Sequence, residues 1–153
     1  MAIGANTAID FFGTTDAVDD SSGSVANAVM SAAGDTATWT NDDDAREANI
    51  ALTFTPSATA VIGDSINLYC SRNNVDGGTA NEAFPTTDFK QVFLGSYSVN
   101  AGTGAQTLAI NIALPNVVTS QEYEFAIFNR LTTVSIDAAW SLDITPKSTG
   151  PHT

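Results

Sequence analysis

The chain has 153 residues and a net charge of -12, from five Lys+Arg against seventeen Asp+Glu. Its length suits one domain with a core that needs no staples, and its one cysteine and one histidine exclude an internal disulfide and an imidazole-rich metal site. Arg46, Arg72, Lys90, Arg130 and Lys147 are scattered singly, which disfavours nucleic acid and anionic membrane as partners, since both are held by clustered basic residues.

Residues 1–24 lack periodicity and end in the turn-forming DDSSGS. Ile3, Ile9, Phe11 and Phe12 are too apolar for a free tail. The reading is an extended arm that docks through these side chains, on its own domain or on a neighbour. The charge is uneven as well: residues 1–45 hold eight Asp and no Lys or Arg.

In 24–33, Val25, Ala28, Val29 and Ala32 lie at helical spacing behind Ser24, a possible cap. The expectation is a short helix, although Val25, Asn27, Val29 and Ser31 would share one face of a strand. Thr36 to Thr40 reads as a short strand, because Thr and Trp suit a pleated surface. NDDDA at 41–45 is an acidic turn. Ala48, Ile50, Leu52 and Phe54 then alternate with polar or small residues until Pro56, the pattern of a half-buried strand. Ala60 to Ile62 reads as a short strand or an approach to one, and Gly63-Asp64 as a turn. Ile66, Leu68 and Cys70 alternate as a further strand.

The stretch 72–90 contains Asn73-Asn74, Asp76-Gly77-Gly78 and Pro85. A connection this long within one domain is usually functional or mobile, which makes it a place to expect a contact surface. Residues 91–99 read as a strand with Phe93, Gly95, Tyr97 and Val99 on one face. Leu108, Ile110, Ile112 and Leu114 make the next, closed by Pro115-Asn116, and Tyr123, Phe125 and Ile127 another, closed by Asn129-Arg130. From Val134 to Ile144 every even position is apolar. As one strand this run spans ~35 Å at ~3.3 Å per residue. PKSTGPHT, from Pro146 on, reads as an exposed tail.

Seven or eight strands with turns between them and almost no helix define an all-β chain. The expected fold is a single antiparallel β-sandwich, jelly-roll-like or immunoglobulin-like, with an extended N-terminal arm. The divisions are arm 1–24, sandwich 25–146 and tail 147–153. Bare outer strands aggregate, so an arm or a neighbouring subunit is expected over an edge.

No chemistry assembles from the sequence. Gly63-Asp64-Ser65-Ile66 resembles the opening of lipase-like esterases. In that family a downstream Asp-x-x-His completes the site, and here Thr149 stands three residues before His152. A serine without a base is not a nucleophile, so the segment reads as a turn entering a strand. Asp42-Asp43-Asp44 and Asp19-Asp20 do not match a calcium loop. Glu122 and Glu124 share a wet strand face, as such pairs commonly do, and are not read as a glycosidase pair. Cys70 and Trp140 read as core. Tyr69 and Phe128 fall on the polar faces of their strands, which points to a second contact surface. No catalytic residue, cofactor or metal is expected.

The opening MAIGANTAIDFFGTTDAV and the close WSLDITPKSTGPHT resemble small virion structural proteins of tailed bacteriophages. Among these the chain is most similar to the decoration, or cement, proteins of capsid exteriors. The resemblance implies a β-sandwich, often a trimeric homo-oligomer, that clamps neighbouring copies of the major capsid protein. It also implies folding in the host cytoplasm, without a signal peptide, and residence on the virion. The expected contacts are the arm (Ile3, Ile9, Phe11, Phe12), then the loop and wet face (Asn73, Asn74, Asp76, Phe84, Phe128). The alternative is a carbohydrate- or receptor-binding module of a phage tail or cell surface.

Overall fold

Alternation sorts the strands into two layers. The computed structural model describes residues 8–18, 22–73, 82–85, 92–115 and 120–151. Nine strands run in chain order: β1 (Ala8–Phe12), β2 (Asp16–Ala17), β3 (Trp39–Asn41), β4 (Glu47–Phe54), β5 (Ser65–Asn73), β6 (Val92–Ser98), β7 (Gln106–Ala113), β8 (Gln121–Arg130) and β9 (Ser141–Pro151). One sheet has the order β1-β9-β4-β7, with β2 also on β9; the other has the order β3-β8-β5-β6. Every pairing is antiparallel. Apart from β5 and β6, and the short β1 and β2, consecutive strands lie in opposite sheets. This is a jelly roll, which decides between the two sandwich types the sequence left open.

The core lies between the layers. Ala48, Ile50, Leu52 and Phe54 of β4 and Leu142 and Ile144 of β9 face Ile66, Leu68 and Cys70 of β5 and Tyr123, Phe125 and Ile127 of β8. Each large side chain fully buried here contributes about 1.5–3 kcal/mol. Both tryptophans belong to this core and keep their indole N–H groups bonded: Trp39 donates to Asp16 Oδ2 at 3.0 Å and Trp140 to the Gly23 carbonyl at 2.9 Å.

Four expectations change. Residues 24–33 form no helix. Ala28 sits at φ 57, outside the helical region, and the backbone bonds to β8 and beyond instead. Ala28 N donates to Asn129 O, Ser31 N to Ile127 O and Val25 N to Ile136 O, all within 3.0 Å. These partners satisfy the segment as an irregular edge strand, so a helix has nothing to add. Ala60 to Ile62 is not a strand; it leads into the turn before β5, with Val61 and Ile62 exposed.

The run from Val134 to Ile144 is not one strand. Ala139 adopts φ 65, which breaks it, and β9 starts only at Ser141. Val134, Ile136 and Trp140 are still buried, so the alternation reported burial rather than strand continuity. The tail is not free either: residues 147–151 pair with β1. The arm is extended as expected. Within 8–18 it docks on its own domain, along β9.

Between β1 and β2 the chain leaves β9 opposite Pro146, which has no N–H to offer a neighbour. Gly13 occupies that notch and donates its N–H to the Pro146 carbonyl at 2.9 Å. A Cβ on Gly13 would lie 2.5 Å from Asp43 Oδ2 and 2.6 Å from Pro146 Cγ.

Side-chain amides close the loops. Asn129 Nδ2 donates to the Val25 and Val134 carbonyls at 2.9 Å each, and its Oδ1 accepts from Leu131 N at 2.8 Å. Asn129 is wholly buried. Asn129→Ala strands two buried backbone groups, Val134 O and Leu131 N, while Val25 O keeps its bond from Ile136 N at 2.9 Å; leaving one group unsatisfied costs about 1–3 kcal/mol. Urea denaturation should therefore show a loss of roughly 2–4 kcal/mol with the m-value unchanged.

Candidate functional site

β5 and β8 bury both their faces, and the outward face forms a second, smaller apolar cluster. In register, Tyr69 lies opposite Ala126, and Asn67 opposite Phe128. Met30, carried in by the irregular segment beside β8, joins Tyr69 and Ala126 in the buried centre, with Phe84 and Phe128 packed against it. Phe93 completes the group. Its ring meets Tyr69 edge-on, with centroids 5.5 Å apart, and remains 54% exposed.

Phe93 reaches this face because of a bulge. Leu68 pairs with Gly95, but Tyr69 pairs with Phe93, so Leu94 is an extra residue. Strict alternation had placed Phe93 with Gly95 and Tyr97; the bulge turns it outward while Tyr97 stays in the core.

Polar groups border the cluster. Ser96 Oγ donates to Asn67 Oδ1 at 2.7 Å, and Asn67 Nδ2 to Tyr69 Oη at 3.3 Å. The Arg130 guanidinium lies 5.9 Å from the Phe128 ring centre, within cation–π range. Asn27, Ala28, Phe128, Asn129 and Arg130 line a hollow of about 270 Å³ beside it. On the other border stands Glu124, whose carboxyl burial pushes up in pKa, partly offset by the backbone N–H of Gly34.

A clasp holds Phe84 in place. Glu82 N donates to Arg72 O at 2.8 Å, while Arg72 N and Nε donate to the Glu82 carboxylate at 2.9 and 3.0 Å. Arg72 Nη2 also bonds Glu82 Oε1. Hydrogen bonding from Arg72 holds the Glu82 carboxyl below the ordinary range against the opposing effect of burial, and the Arg72 pKa rises in turn.

The expected contact residues fall into separate places. Phe84 and Phe128 come together in this cluster. Asn73 does not. It is buried at the far end of β5, with Nδ2 toward Thr38 Oγ1 at 3.5 Å and its carbonyl bonded by Gln121. Ile9 and Phe11 lie in β1, opposite Gly150 and Ser148 of the other sheet, and Phe12 opposite Lys147. Phe12 is 65% exposed. Ile3, Asn74 and Asp76 lie outside the described residues. Met30 and Phe93 went unrecognised as site residues: Met30 was read into a helix, and only the Leu94-Gly95 pair hinted at a bulge.

The chemical candidates remain structural. Gly63, at φ 96, turns the chain into β5, and the Asp64 carboxylate accepts from Thr132 N at 2.6 Å and Thr132 Oγ1 at 3.2 Å. That leaves Ser65 as the first residue of a strand. Cys70 is buried, and burial pushes its thiol up to about 12. Asp42 to Asp44 form a turn closed by Asn41, whose side chain bonds both backbone groups of Ala45. Among the described residues no three His, Cys, Asp or Glu gather as metal ligands. No helix among them is long and apolar enough to cross a membrane. His152 and Asp19-Asp20 lie outside the described residues.

No protein-family model and no curated protein matches the chain. Among solved structures it is similar to the C-terminal CBM6 of LamC, a marine laminarinase from Zobellia galactanivorans. That likeness has 13% identity and a TM-score of 0.39, over 91% of this chain and 99% of that one. An overlap this loose carries no argument about ligand.

The depressed Glu82 pKa makes the clasp strongest above the ordinary carboxylate range and lost as pH falls through the folded value. The Glu82 amide resonance should titrate with a midpoint below that of free glutamate, and Arg72→Ala should move it up; a midpoint at or above the free value contradicts the clasp. Cys70 should resist thiol reagents at neutral pH until urea unfolds the chain, because the reactive thiolate is nearly absent and shielded.

Proposed function

We propose that the protein is a non-enzymatic virion structural protein that binds the capsid exterior and bridges major capsid protein subunits. The observation that carries this reading is the apolar cluster of Met30, Tyr69, Phe84, Phe93 and Phe128 on the outer face of β5 and β8. A jelly roll needs one core; a second cluster outside it, with Phe93 over half exposed, suits contact with another surface. Aromatic anchors ringed by polar groups are what protein interfaces use as their energetic centre. The resemblance of the two chain ends to phage decoration proteins supplies the identity of the partner. Binding only the assembled shell would stabilise it by mass action.

The arm has a different place in this reading. β1 and β2 complete the sheet edge beside β9, and Val18 beyond them is a core residue. We assign the arm first to closing the sandwich, with Phe12 as its exposed contribution to binding.

A second reading is a carbohydrate-binding module. What favours it is the Ser96–Asn67–Tyr69 hydrogen-bonded row directly beside Phe93, since sugars are held by an aromatic face flanked by amides and hydroxyls. Against it, the exposed ring is a phenylalanine, and the row's groups are already bonded to one another.

Cosedimentation with expanded phage capsids tests the first reading. Phe93→Asp places a charge in the cluster without touching the core. It should weaken capsid binding by about tenfold or more, the effect of losing one interface anchor, with an unchanged circular dichroism spectrum. Wild-type protein that stays in the supernatant while binding a glycan saturably would replace the first reading by the second.

A further inference from the structure

We infer that the β6–β7 side of the sandwich is a homodimer contact, where β7 of one copy pairs edge to edge with β7 of a second. β6 and β7 each end their sheet, and they neighbour one another across the sandwich. Among the described residues neither has a strand partner on its outer side. Between the two edges Val92, Leu94, Leu108 and Ile110 pack on the core yet stay only partly buried. Gly95 lets the edges close up: a Cβ there would lie 2.8 Å from Ile110 Cδ1.

Proteins guard such edges with charge, proline or bulges. β6 has its bulge at Leu94, which spoils it as a template. β7, QTLAINIA, has no charge, no proline and an unbroken register with β4 from Phe54–Gln106 to Glu47–Ala113. It is a regular, unguarded edge of eight residues.

Charge identifies the occupant. From Gln91 to Gln121 there is no Asp, Glu, Lys, Arg or His, in a chain with seventeen acids and a net charge of -12. In a two-fold contact each surface meets itself, so an acidic patch would face an identical acidic patch. Only a neutral stretch escapes that repulsion. A basic protein would be drawn to the acidic surfaces instead. The surface that copies of this chain can share is therefore the same one that presents an apolar seam and a strand edge unpaired among the described residues.

Light scattering coupled to size exclusion, on the full chain at micromolar concentration, tests this. Wild type should elute at twice the 15.9 kDa chain mass. Ala109→Glu, at an exposed mid-strand position on β7, sets two carboxylates across the dyad and should return the mass to one chain with unchanged circular dichroism. Ala17→Glu, at an exposed position on β2 at the opposite edge of that sheet, should leave the dimer intact. A monomeric wild type, a trimer, a dimer that survives Ala109→Glu, or one that Ala17→Glu disrupts equally would each overturn the proposal.

Discussion

Two antiparallel sheets stay face to face here because six strands turn every second residue inward. Leu52 and Ile144 come from one layer, Leu68 and Phe125 from the other, and all are wholly buried. The packing depends on register. A shift of one residue in β4 would turn its buried row outward and its polar row into the core. The ladder from Phe54–Gln106 to Glu47–Ala113, and its partner from Ser65–Arg130 to Asn73–Glu122, are therefore what the loops and both surfaces rest on.

The composition suits this scaffold. A jelly roll has many loops, and their backbone groups need partners wherever they pass under other segments. Uncharged amides supply them: Asn41 and Asn129, both wholly buried, and Gln106, which bonds both backbone groups of Ala101. A carboxylate or ammonium in those positions would bring a heavy desolvation cost. The scarcity of charge across the chain thus belongs to the fold's own demand, and the acids collect in exposed turns such as Asp42 to Asp44.

The central strands were legible because their alternation separates the row that faces the main core from the row that faces outward. β4, β5, β7 and β8 lie where Ile50, Leu68, Ile110 and Phe125 alternate with polar neighbours. Three features were not legible, each for a physical reason. The bulge at Leu94 changes the phase of alternation without changing composition, so Phe93 read as sharing a face with Tyr97 and Val99. The Val25 segment had helical spacing, but long-range partners in β8 outbid a local helix. The Val134 to Ile144 run kept its alternation across a turn, because loop residues that plug a core can mimic a strand. Of the contact residues, Phe128 was visible as a large side chain on a polar face, and Phe84 as an aromatic in the long 72–90 connection. Their convergence with Met30 was not, since it depends on an edge segment whose pairing only the folded chain specifies.

β1 lies against the last strand, with Ala8 opposite Pro151. β1 and β2 must therefore wait for β9, which comes much later in the sequence. During synthesis β4 can meet β7 early, but the space on its other side stays empty until β9 appears. Until β9 is made, the nascent chain consequently carries an incomplete layer. Contacts this distant in sequence make for slow folding, on the millisecond-to-second scale of all-β domains, and the arm remains loose until that final docking.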